Sequence, residues 1–205
     1  IGSFHRHWGN FAHKVRCYTY LLRLGKEGVK RMSAVSVLSS RYLYEILRHH
    51  YPTLPKSTHN LPRMHEFILT LEDDDFARLE ALGLNKAVAI SRIGKLFHDL
   101  GFHAPTVNWP ETLGLMIEPT ESYSKHELDR FSEAVMWIIK LVRDYPETLN
   151  KTPFFTPVDR VDEVKANRKP ALNERITQLP PSSENRLSPS ELGKLSIKEI
   201  YDRII

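Results

Sequence analysis

The sequence predicts an α+β fold, in which helices pack against one face of a small sheet of about three strands. Three features support this class: long segments with apolar residues every three or four positions, short runs with strand character, and proline-rich corners between them. The chain has 205 residues, 41% of them hydrophobic, which suffices for one ordinary core. We therefore expect a single domain with appendages.

The N-terminal segment is predicted to be a helix pair. Phe11, Val15, Tyr18 and Leu22 recur at spacings of four, three and four, and this apolar face stops near Gly25. A second helical pattern runs from after Gly28 to about Pro52. Tyrosines occur on more than one face of the pair, at Tyr18, Tyr20, Tyr42 and Tyr44, which is more aromatic surface than a small sheet can cover. We therefore expect part of it to pack on a surface outside this chain, either a further large domain or a second subunit.

The next stretch predicts a loop, a strand and a helix. Three prolines in residues 52–63 predict a loop, and residues 64–71 have the length and composition of a strand. In that strand Glu66 would share a face with Met64 and Ile68. After an acidic turn at residues 73–75, Asn85 can cap a helix that ends at Gly101.

Prolines divide the segment that follows into short extended pieces. Pro105 and Pro110 bracket residues 106–109, and residues 113–118 form a further strand that ends at Pro119. Ser124 and Glu127 then form a capping box for the clearest helix of the chain, which Pro146 ends.

The last third of the chain predicts an irregular tail. From about residue 147 the sequence is rich in proline and charge and has no sustained period, except that Ser196 and Glu199 can cap a short final helix. We therefore divide the chain into a helical segment at 1–50, a small α/β domain at 51–146 and an extended tail at 147–205.

Composition limits the functional classes. The net charge is +4, but basic residues alternate with acids, so no stripe suited to nucleic acid is visible. No apolar run approaches the roughly 18 residues that cross a bilayer, so we expect a soluble protein without membrane contact. The single Cys17 cannot form an internal disulfide and is expected to be a buried thiol in a reducing compartment.

Polar residues at predicted strand ends are the candidates for a functional site. His65 and Glu66 do not complete a helical zinc-protease motif, because position 69 is Leu, and we expect no metal site. The pair is either structural or functional, and His103 has the same two interpretations. Loop residues held by a rigid scaffold often carry function; here they are Asn108, Glu118, Thr120 and Glu121, although Thr120 and Glu121 can also simply cap the next helix.

The usual signatures of a complete catalyst are missing from the sequence. Lys14 lies opposite the apolar stripe of its helix, which predicts a solvated side chain and not a Schiff-base lysine. No glycine-rich turn is suited to hold a phosphate.

Several motifs in order resemble a known family. They are the helical segment from Gly9 to Gly28, "MHEFIL" from Met64, "GFHAPTV" from Gly101, "LMIEPTES" from Leu115 and the tail at 156–172. Together they resemble the C-terminal region of glycine dehydrogenase (decarboxylating), the P-protein of the glycine cleavage system, in its second-subunit form.

The resemblance implies a fold and a site. It implies the C-terminal small domain of the aspartate-aminotransferase-like, fold type I enzymes, with pyridoxal phosphate bound by an upstream domain that this region lacks, so that the chain alone would be inactive. By motif position, His65 and His103 would be the catalytic candidates. The residues lining the cleft would be Glu66, Thr106, Asn108, Glu118, Thr120 and Glu121.

The resemblance also implies partners. These are the upstream domain or first subunit of the same enzyme, the lipoyl H-protein and glycine, in an oligomer located in the bacterial cytoplasm or the mitochondrial matrix. Two alternatives remain at this point: a non-catalytic small-domain module that binds a protein partner, and a surface that binds an anionic macromolecule.

Overall fold

The computed structural model describes residues 7–170 and 185–205, so the part of the predicted tail at 171–184 lies outside the described residues. The described helices are α1 (Phe11–Leu47), α2 (Asp73–Ala81), α3 (Lys86–Asp99), α4 (Lys125–Asp144), α5 (Glu163–Arg168), α6 (Pro189–Leu192) and α7 (Ile197–Ile204). The strands are β1 (Thr53–Leu54), β2 (Phe67–Leu69), β3 (Thr106–Val107) and β4 (Leu115–Ile117). The α+β class is confirmed.

The predicted helix pair is one long helix with a break. Gly25 has φ 61° and ψ −175°, which interrupts α1 between two helical halves. Glycine adopts a positive φ without the steric cost that other residues meet. Asn10 caps the first half by accepting a hydrogen bond from the Ala12 backbone N–H at 3.2 Å. The second half enters the core through Leu43, Tyr44 and Leu47, all of which are buried.

The sheet has four antiparallel strands in the order β1-β2-β4-β3, where about three were predicted. The additional edge strand β1 lies in residues 52–63, which were predicted to be a loop. Its two residues pair with β2, with Thr53 opposite Leu69. Proline tends to be confined to strand edges and ends, and such a short edge strand has no recognisable periodicity in the sequence.

Helices cover one face of this sheet. Alternate residues of the two central strands are buried, with Phe67 opposite Ile117 and Leu69 opposite Leu115. The predicted caps of α3 and α4 are both confirmed: Asn85 accepts from the Val88 N–H, and Ser124 and Glu127 form a reciprocal capping box. The helices contribute a row of fully buried side chains to the core, among them Ile90, Ile93, Phe97, Ile138 and Leu141.

The acidic segment at residues 73–75 is the first turn of α2 and not a turn between elements. Negative side chains are favourable there because a helix N-terminus carries partial positive charge. Asp75 is 3% exposed, and its carboxylate accepts hydrogen bonds from Arg143 on α4 at 3.1 to 3.3 Å. The pair joins α2 to the end of α4.

The described part of the tail is more ordered than its composition suggested. A 3-10 helix at Pro146–Asn150 follows α4, and α5 and α6 were not predicted. The final helix α7 is confirmed with its capping box, and it packs on α4, where Trp137 and Tyr201 lie with ring centroids 4.3 Å apart. The division at residues 50 and 146 stays a prediction.

Two further expectations concern exposure. Cys17 is an exposed free thiol and not a buried one, because it lies in the first half of α1, which projects little surface into the core. Among the helices described, none combines the length and apolar character needed to cross a membrane.

Candidate functional site

Three of the predicted site residues form a polar cluster at one end of the sheet. The register places Glu66 and Glu118 next to each other, because they flank the paired residues Phe67 and Ile117. One ligand-type atom from each of His65, Glu66 and Glu118 lies within 4.8 Å of the others, and His65 Nε2 is 3.8 Å from Glu66 Oε2. We call these three residues the rim cluster.

The rim cluster is open to solvent within this chain. The side chains of His65 and Glu66 retain 55% and 42% of their exposure. A histidine beside two carboxylates can exchange a proton, attract a cationic group or bind a divalent cation. Exposed acidic groups of this kind also occur without any bound ligand.

One of the predicted residues after β4, Glu121, contacts the first half of α1. The Tyr20 hydroxyl donates a 2.8 Å hydrogen bond to Glu121 Oε1, and this bond holds the pKa of Glu121 below its usual range. Thr120 Oγ1 accepts from the Ser122 N–H at 3.3 Å, as expected for a residue that closes a turn before α4. Tyr20 therefore belongs to this region, although the sequence offered only an aromatic residue on a helix as a signal.

Two predicted residues lie away from the rim cluster. Asn108 is at the opposite end of β3, where it has φ 57° and its side chain accepts from the Leu113 N–H at 3.0 Å. Thr106 is exposed on β3, opposite Met116 of β4. Asn108 thus has a turn-forming role in this chain, and its assignment to a cleft stays a prediction, as does that of Thr106.

His103 faces a different environment from His65. Its ring lies 6.2 Å from that of His98, centroid to centroid, and both residues line a cavity of about 580 Å³ between the end of α3, α4 and the tail. None of the rim cluster residues lines this cavity. Of the two predicted catalytic histidines, His103 thus lines this cavity and His65 does not.

A lysine and a helix N-terminus are the groups that most often bind a phosphate-bearing cofactor such as pyridoxal phosphate. Lys14 is exposed, and its Nζ lies 6.0 Å from the centre of the Trp8 ring, where a cation is stabilised by the aromatic face. The N-termini of α1, α3 and α4 are capped by Asn10, Asn85 and Ser124. In each of these three helices one backbone N–H of the first turn is therefore bonded to the capping side chain.

The fold and the rim cluster define a class of protein: an α+β domain that presents polar residues at one end of a small antiparallel sheet. Comparison with known families gives a more specific result. Residues 32–152 match the model of the family described as "Glycine dehydrogenase, C-terminal domain". The chain belongs to this family, and the predicted resemblance is confirmed.

Curated relatives support the same assignment. A protein of Prosthecochloris aestuarii, named "Probable glycine dehydrogenase (decarboxylating) subunit 2", is 40% identical over 82% of this chain and 33% of its own length. Proteins of the same name from Thermus thermophilus and Halalkalibacterium halodurans are 37% and 36% identical, over 84% and 87% of this chain. The chain spans about a third of the length of these relatives.

Proposed function

We propose that this chain acts as the C-terminal part of a glycine dehydrogenase (decarboxylating), which releases carbon dioxide from glycine and passes the aminomethyl group to a lipoyl carrier protein. Its role is to close over a cofactor-bearing portion supplied by the rest of the enzyme. Family membership and the names of the relatives support this proposal. The observation that carries it is the rim cluster, which this chain exposes at the end of its sheet.

The rim cluster can contribute proton handling and positioning. His65 is the group that holds or moves a proton, and Glu66, whose Oε2 lies 3.8 Å from His65 Nε2, places a negative charge beside the ring. Glu118 lies on the neighbouring strand and fixes the electrostatic environment of the pair. Closure over this cluster would exclude water and strengthen each of these interactions.

The first half of α1 exposes an apolar surface that is suited to contact with the rest of the enzyme. The apolar stripe of Phe11, Val15, Tyr18 and Leu22, predicted from spacing, is exposed by 71%, 46%, 65% and 65%. A contiguous apolar stripe of this kind marks an interaction surface. We infer that it packs on the upstream portion of the enzyme, because the relatives are about three times as long as this chain. Tyr44 is already buried within the chain and so takes no part in this surface.

The catalytic proposal is tested by adding the upstream portion of a relative to this chain and measuring exchange of labelled carbon dioxide into glycine. The combination should be active and the chain alone inactive. His65→Gln should lower exchange at least about a hundredfold, the range for loss of an acid–base group. His49→Gln is the control, since His49 is an exposed histidine outside the rim cluster. Full activity of His65→Gln would refute the role of His65.

The cofactor arrangement has its own test. Borohydride reduction in the presence of pyridoxal phosphate should label a lysine of the added portion and none of this chain. A stoichiometric label on a lysine of this chain would contradict the proposal. Retention of His103→Gln activity together with loss of His65→Gln activity would assign catalysis to the rim cluster alone.

Docking is tested by a double substitution in the stripe. Phe11→Ser with Tyr18→Ser should leave the unfolding of this chain nearly unchanged, because both side chains are exposed. It should weaken association with the upstream portion by at least about tenfold, as expected when interface aromatics are removed. Leu61→Ser is the matched control, since Leu61 is 55% exposed outside the stripe. A chain that shows no affinity for the upstream portion would favour a separate, non-catalytic binding module.

A further inference from the structure

The cavity beside His103 has an unusual set of charges. Four basic residues line it: Lys95 and His98 on α3, His103 after α3, and Arg130 on α4. The acidic residue among its described lining residues is Asp159, whose carboxylate accepts a hydrogen bond from the Arg160 N–H at 2.7 Å. The walls therefore carry net positive charge.

Two of these cations have no anionic partner among the described residues. Lys95 and Arg130 are both half-buried, and neither forms an ion pair there. Arg130 instead lies over the ring of Phe102, with its Cζ 5.5 Å from the ring centre. A half-buried charge without a counterion is unfavourable, since it has lost part of its hydration without compensation.

Titration of His98 reflects the same positive environment. Its pKa is lowered by burial and by the nearby charges of Lys95 and His103. An anion bound in the cavity would reverse the last two effects. The volume of about 580 Å³ falls within the range of pockets that hold small organic ligands.

The remaining wall is apolar and is built by the tail. Val158 and Val161 line the cavity and are 38% and 49% exposed, and Leu187 and Leu192 complete this side. An apolar wall opposite a basic wall suits a ligand with a hydrophobic body and one anionic group.

We propose that this cavity is a binding site for a small amphipathic organic anion, such as an aryl or acyl carboxylate. The anionic group lies between Lys95 and Arg130, and the hydrophobic body contacts the tail. The site is distinct from the rim cluster, and the proposal does not depend on the function proposed above. Occupancy would also hold the tail against α3 and α4, because the ligand contacts both sides.

The test is calorimetric titration of the whole chain with naphthalene-1-acetate and with naphthalene-1-ethanol, its uncharged analogue. We expect one binding site for the anion and at least about tenfold weaker binding of the alcohol. Lys95→Gln and Arg130→Gln should each weaken binding of the anion about tenfold. Lys26→Gln should leave it unchanged, because Lys26 is exposed on α1.

NMR of the histidine rings locates the ligand independently. The anion should shift the signals of His98 and His103 and leave those of His49 and His65 in place. Melting temperatures establish that each variant is folded. If Arg130→Gln fails to fold, the proposal is tested by Lys95→Gln and by the shifts of the histidine-ring signals. Equal binding of acid and alcohol, binding without ring shifts, or absence of binding at millimolar anion would each overturn the proposal.

Discussion

The hydroxyl of Tyr20 and the carboxylate of Glu121 form a 2.8 Å hydrogen bond between residues 101 positions apart in the chain. The bond fastens the first half of α1 to the turn that leads into α4. Residues 11–23 of that half are exposed, so this contact helps to set the direction of its apolar stripe. The position of the apolar stripe, which is the proposed docking surface, thus depends on Glu121, one of the predicted site residues.

Loss of the Tyr20 hydroxyl should be visible in the titration of Glu121. The hydrogen bond is the largest cause of the lowered pKa of Glu121. Tyr20→Phe should therefore raise that pKa toward its ordinary value, as followed by NMR of the carboxyl carbon. Tyr18→Phe is the control, since Tyr18 is 65% exposed on the same helix. An unchanged pKa in Tyr20→Phe would show that the two side chains do not interact in solution.

Removal of Arg143 should destabilise the chain substantially. Asp75 is 3% exposed on its side chain, and Arg143→Met would leave its buried carboxylate without its cationic partner. We expect a loss of about 2 to 4 kcal/mol in the free energy of unfolding, somewhat below the range for fully buried pairs because Arg143 remains 36% exposed. Urea denaturation provides the measurement.

The control for Arg143→Met is a substitution in a solvent-exposed ion pair. Lys198→Met removes the partner of Asp202, and both side chains of that pair are largely in water. Such pairs contribute little to stability. If the two substitutions had equal effects, the Asp75–Arg143 pair would not be the buried junction described here.

Stability should depend on pH through Asp99. Burial raises the pKa of Asp99 from its ordinary 3.8 to about 6, against the opposing effect of backbone N–H groups of Phe154 and Phe155. The folded chain then binds a proton more readily than the unfolded chain, so this residue adds stability as the pH falls from about 7 toward 4. The gain should be about 1 to 3 kcal/mol.

Comparison with Asp99→Asn isolates this contribution, because the asparagine side chain does not titrate. When the pH is lowered from 7.5 to 4.5, the free energy of unfolding of the original chain should rise relative to that of the variant. Urea denaturation at both pH values measures it. A difference that is independent of pH would mean that the pKa of Asp99 is not raised.

The final helix should contribute real stability, although it lies in a segment with an irregular composition. Ile200 is fully buried against the body of the chain. Ile200→Ala should lower the free energy of unfolding by about 2 to 4 kcal/mol, the usual cost of such a cavity. Ile205→Ala is the matched control, since Ile205 is 56% exposed and should change stability little.

Much of the fold could be predicted because local signals agreed with one another. The caps at Asn85 and at Ser124 with Glu127 were correct, since capping depends on neighbouring residues alone. The strand β1 was missed because two residues carry no period, and its existence depends on pairing with β2. The helix α7 was predicted from its capping box and its isoleucines, and the structure adds that Ile197, Ile200 and Ile204 are buried.

The candidate site was predictable only in part. Glu66 and Glu118 were each selected as strand-end residues, but their proximity follows from the β2–β4 register, which no single segment encodes. Lys95 and Arg130 were not selected at all, because a basic residue on an amphipathic helix is usually solvated. Their significance arises from the way the tail encloses them, a long-range contact without a local signature.

The break of α1 at Gly25 affects the order in which the chain folds and its first helical half becomes aligned. The backbone of α1 leaves the helical conformation there, so the direction of the half that carries the apolar stripe is not fixed by the half anchored through Leu43 and Leu47. Folding of the body and alignment of the stripe can then be successive events. A side chain at this position would favour a continuous rod, whose direction would be fixed before any partner arrived.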